Sequence, residues 1–168
     1  MTMQTETLET EAPAGAEALE QGEVADRLFG WNLAPITRRA AAREGWSPTY
    51  SSDVECEYRK FIYVSVKHPH EQLGMSGPVD VLWHEHILHT MDYVQLCLEV
   101  AGRYLHHIPT AHANGDGSEY RRTISLIENH FGEANWNVWP KVGVADAGCC
   151  SGCSHIWSEG DIALSIVR

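Results

Sequence analysis

The stretch PVDVLWHEHILHTMDYVQLCLEVA, Pro78 to Ala101, decides the fold. Proline is tolerated in a first helical turn, where its missing amide hydrogen would have had no partner. At 100° per residue, Val79, Leu82, Trp83, His86, Thr90, Tyr93, Val94 and Cys97 fall on one stripe, with Val81 and Leu88 behind it. A helix apolar on most sides needs neighbours on both. The pattern therefore predicts a central helix from Pro78 to about Ala101, weakened at Gly102.

Upstream, Ser52-Asp53-Val54-Glu55 has the form of a capping box, in which serine and glutamate satisfy orphan amides reciprocally. It predicts a helix from about Asp53 to Lys67. Val54, Tyr58, Phe61, Ile62 and Ser65 face inward, Glu57 and His68 lie at the edge of that face, and Pro69 ends it. Asp26 to Arg43 reads as one or two short helices interrupted at Pro35. Downstream, Tyr104 to Pro109 forms an exit. Asp116 with Glu119 can cap a third long helix reaching about Phe131, with the stripe Tyr120, Thr123, Ile124, Ile127 and Phe131, stopped by Gly132. Ile156 to Val167 alternate weakly and suggest a short hairpin around Gly160.

The expected architecture is all-α: a compact bundle of about three main helices, short N-terminal helices and an irregular Cys-rich C-terminal segment. Three regions follow from composition: a disordered acidic tail over 1–23, a helical domain over 24–143, and a Cys/Gly-rich segment with a short hairpin over 144–168, packed on the domain.

A formal net charge of -11 argues against nucleic acid as a partner, since phosphate binders gather Lys and Arg on a face. No apolar run is long enough to span a membrane and no leader pattern opens the chain, so a cytoplasmic location is expected. In that compartment Cys56, Cys97, Cys149, Cys150 and Cys153 are expected as thiols or metal ligands rather than disulfides.

The chain has ten histidines, and His84, His86, His89, His106, His107 and His112 lie within or just after the central helix. Imidazole binds zinc, iron and copper when donors from separate elements converge. His86 sits at the centre of the apolar stripe and His84 points about 160° away, so one ion cannot take both from a regular helix. For His86 alone, a buried hydrogen-bonded imidazole is an equal alternative. His86 and His89 are an i, i+3 pair, and His106-His107 precede a proline by two residues. Cys150-Ser151-Gly152-Cys153, followed by His155, offers two thiolates to one ion, which is half a tetrahedral site; the rival view is a reduced tail. Glu57 is the candidate carboxylate for a site of two histidines and one carboxylate, or else an ion-pair partner of Arg59 or Lys60.

These residues predict a transition metal ion, iron or zinc with copper as a third choice, held by some of His84, His86, His106, His107, Cys150 and Cys153. Glu57, Tyr93 and Glu85 are the candidate proton carriers. A small molecule or peptide is the expected substrate if the site is catalytic; a non-enzymatic interaction or metal-handling module is the rival.

The runs Glu57 to Phe61, Val79 to Leu88 with Thr90, Tyr93 and Cys97, and Leu105 to Pro109 resemble the glycine-rich domain-containing protein-like family over about Tyr50 to Gly132. The match at Trp83, His84, His86, Thr90, Tyr93, His106 and His107 implies a short helical protein and emphasises His84. It lacks a histidine at the position of His89, which lowers that residue. The resemblance implies no particular reaction.

Overall fold

The computed structural model describes residues 21–109, 117–141 and 153–157. Among them are six helices, α1 (Gln21–Gly30), α2 (Ala34–Glu44), α3 (Pro48–Lys67), α4 (Gly77–Leu88), α5 (Thr90–Ala101) and α6 (Ser118–Phe131). Two strands, β1 (Leu105–Pro109) and β2 (Cys153–Trp157), form an antiparallel ribbon. The fold is helical, as the periodicity required. No helix among the described residues is long and apolar enough to cross a membrane.

The hub is α3, which packs against α1, α2, α4 and α6, while α4 lies between α2, α3 and α5. Their shared core holds Val54, Tyr58, Phe61, Ile62, Val79, Leu82, Trp83, Tyr93 and Leu96, all buried. Several boundaries differ from expectation, each for a local reason. Helix α3 starts at Pro48, a turn before the expected capping box, because the Ser47 hydroxyl accepts from the Tyr50 amide at 3.2 Å and Pro48 suits the first turn. The segment is two short helices, and Pro35 lies in the first turn of the second, α2, rather than in the break itself. Helix α6 is entered through Gly117 at φ 72°, which brings no side-chain cap, and the expected capping residue Asp116 lies outside the described residues.

The helix expected from Pro78 to Ala101 is two helices. His89 at φ -86°, ψ 59° breaks it with neither proline nor glycine present. Residues six apart on a straight helix face different ways, yet His86 Nε2 lies 2.7 Å from Asp92 Oδ1. The turn at His89 brings Asp92 back over His86. It also leaves Leu88 and Met91 exposed.

Gly102 at φ 66° ends α5 and sends the chain into β1. The ribbon pairs Leu105 with Trp157, His107 with His155 and Pro109 with Cys153. β2 is therefore partnered by β1, whereas the expected hairpin turn at Gly160, most of the acidic tail, His112, Cys149 and Cys150 lie outside the described residues.

Candidate metal centre

Asp80 lies in the first turn of α4, where the helix dipole favours an anion, and His84 follows one turn later on the same face. The His84 ring turns back along the helix, its Nδ1 2.8 Å from the Asp80 carbonyl oxygen and 3.3 Å from Asp80 Oδ2. His107 approaches from β1, with Nε2 2.8 Å from Asp80 Oδ1 and its ring centroid 4.3 Å from that of His84. Asp80, His84 and His107 each offer one ligand atom, and these atoms lie within 4.8 Å of one another. It is the one such group of three among the described residues.

Aromatic residues hold β1 at this distance. Trp83 donates from Nε1 to the Tyr93 hydroxyl at 2.8 Å, and that hydroxyl donates to the Leu105 carbonyl at 2.6 Å, anchoring the start of the strand. The Trp83 ring also packs on His107, centroid to centroid 4.5 Å. The side chains of Asp80 and His107 are 7% and 6% exposed against 51% for His84, so the group is walled by protein and opens to solvent at His84. Two imidazoles and one carboxylate, drawn from α4 and β1, are a donor set that suits a divalent transition metal.

His86 faces the other way, as the helical angle required. Its Nδ1 lies 2.8 Å from the Tyr58 hydroxyl and its Nε2 2.7 Å from Asp92 Oδ1, which also accepts from Trp31 Nε1 at 3.1 Å. Burial lowers its pKa to about 4 and outweighs the opposing pull of Asp92. Burial also holds the Tyr58 phenol protonated, so Tyr58 donates to Nδ1 and Nε2–H donates to Asp92. Both ring nitrogens are thus engaged away from the Asp80 group.

The remaining candidates sit apart. His106 is exposed and its ring lies against Tyr104 on the opposite ribbon face from His107. Glu57 is buried, with Oε1 on Lys60 Nζ and Oε2 on Trp139 Nε1, each at 2.7 Å. Glu85 is buried between Arg39 at 2.5 Å and Arg43 at 2.7 Å. Tyr93 serves the Trp83–Leu105 anchor, and burial raises its phenol well above the usual range. Cys97 is buried and its thiol is pushed up to about 11. Cys150 lies outside the described residues, and Cys153 occupies the β2 position opposite Pro109.

The carboxylate beside the histidines is therefore Asp80, a residue the sequence pattern did not single out. An Asp-x-x-x-His spacing marks one helix face and was the available signal. An acidic residue in a first helical turn is also ordinary dipole chemistry, which masked it.

The model of the UCP032817-like family matches residues 28–126. The chain belongs to the UCP032817-like family. Membership corrects the expected resemblance to the glycine-rich domain-containing protein-like family. The Trp-His-x-His run that suggested it is short, and packing accounts for much of it: Trp83 and His86 are both fully buried. The UCP032817-like stretch contains Asp80, His84 and His107 and ends before β2. No curated protein and no solved structure matches the chain.

Proposed function

We propose that this protein binds a divalent transition metal ion, iron(II) or zinc with copper as a third choice, through Asp80, His84 and His107. The observation that carries this is the convergence of three ligand atoms from α4 and β1 within 4.8 Å. Support comes also from chemistry: a buried carboxylate facing two imidazoles is stabilised when a cation joins them, and two histidines with one carboxylate are ligands for iron and zinc. Three protein donors leave coordination positions over. Solvent there would support catalysis on a small molecule or peptide through Lewis-acid or oxygen-activating chemistry; a further protein donor would support a structural or metal-handling role.

The test is metal analysis of protein purified without a histidine tag, then calorimetric titration with zinc and, anaerobically, with iron(II). A single ion per chain is expected. Asp80→Asn and His107→Ala should each weaken it by more than the roughly 10–100-fold lost with an outer-sphere partner. His106→Ala, on the outer ribbon face, should bind like the parent. A parent protein that takes up neither ion, or a His107→Ala variant with undiminished affinity, would sink the proposal.

A further inference from the structure

The ends of α3 and α6, two helices that pack against each other, meet through a pair of histidines that share no residue with the Asp80 group. His68 is the C-cap of α3 and His130 lies in the last turn of α6. Their Nε2 atoms are 2.9 Å apart, with ring centroids 5.2 Å apart and planes at 60°. In such a contact one nitrogen donates and the other accepts, so at least one ring is neutral with its lone pair turned into the gap. Tyr63 from α3 stands edge-on to the His130 ring at 5.3 Å between centroids, and Lys67 lies over the Tyr63 ring. Burial first, then His68 and Lys67, lower the pKa of His130 and keep that imidazole neutral at pH 7, the form that ligates. Both histidines stand at carboxyl ends of helices, where the macrodipole favours a cation.

We propose that His68 and His130 form a second metal site, which takes a divalent ion of tetragonal preference, copper(II) or nickel(II), and clips the end of α3 to the end of α6. Imidazole nitrogens sit about 2.0–2.1 Å from such an ion. Two of them are then about 2.9 Å apart in adjacent square-planar positions and about 3.3 Å apart at the tetrahedral angle. The observed separation is that of the square-planar neighbours, so the fold already holds the nitrogens at the required spacing and only the rings turn to aim both lone pairs at one point. On binding, the donating ring moves its proton from Nε2 to Nδ1, so a neutral pair releases no proton. His130 is exposed, and water completes the coordination.

Nickel(II) alone is the probe, because cysteine thiols reduce copper(II), and histidine-ring and amide NMR spectra of the untagged full chain report each position separately from the Asp80 group. Far-ultraviolet circular dichroism of each apo variant is the folding control. In the parent, the His68 and His130 ring signals should shift or broaden together along one titration curve, and amide exchange in the last turns of α3 and α6 should slow. His68→Ala should weaken the response at His130 by roughly tenfold or more, and His130→Ala should do the same at His68. His70→Ala, which removes an exposed histidine outside the pair, should titrate like the parent. Two separate curves, or a His130 response undiminished in His68→Ala, would mean that each imidazole binds alone and would overturn the shared site. So would a parent in which neither ring responds, or a loss of binding in His70→Ala that His130→Ala does not reproduce.

Discussion

At the scale of single residues, the unusual group is His86, which is fully buried and held at both nitrogens between Tyr58 and Asp92. Its pKa falls from 6.5 to about 4 on folding, with Asp92, His89 and Arg59 as the charged or titratable neighbours that act on it. The unfolded chain then binds the proton more readily than the folded one. Stability from this residue is complete above about pH 6.5 and is lost as pH falls toward 4. Between pH 7 and pH 5 the loss attributable to His86 is about 2 kcal/mol. Urea unfolding of the parent and of His86→Leu at both pH values isolates it: the parent should lose that increment and the variant should not. The divergence of His84 from His86 was legible in the sequence from the helical angle alone. The engagement of both His86 nitrogens was not, because Asp92 reaches it only across a break that no proline or glycine announces.

At the scale of elements, start signals were ambiguous rather than absent. Ser47-Pro48 and Ser52-Asp53-Val54-Glu55 both have the chemistry of a helix start, and only the hydrogen bond from Tyr50 separates them. Ser47→Ala should therefore cost about 1 kcal/mol. Ser52→Ala should stay within about 0.5 kcal/mol, both read by urea midpoint. The seat of α6 is a second such feature. A Cβ on Gly74 would lie 2.9 Å from the Tyr120 amide nitrogen, a backbone atom that cannot swing aside, while Thr123 donates to the Gly74 carbonyl at 2.6 Å. Gly74→Ala should thus lower stability by about 1–3 kcal/mol and speed amide exchange in α6. The glycine was visible in the sequence as loop chemistry; its contact with α6 was not, because nothing local links position 74 to position 120.

For the whole molecule, the helical class and the inward faces of α3 and α6 were readable because burial imposes a 3.6-residue period on apolar side chains. Asp80 and His107 were not readable as partners, since their meeting depends on the Trp83–Tyr93–Leu105 anchor that joins α4, α5 and β1. A ligand that binds only the folded chain stabilises it by mass action, about 2.7 kcal/mol at a hundred times the dissociation constant. Zinc at that excess should raise the Tm by roughly 5–10 °C for a chain of this size, reversed by chelator and absent in Asp80→Asn.

Helix α6 lies between the two ribbon strands in the chain, so β1 and β2 meet only after a long excursion has been closed. Loop closure of that length is slow, and two strands alone are marginal in water. The helices should therefore assemble first and the ribbon last. Docking of β2 onto a β1 already anchored through Leu105 then becomes the closing event of folding.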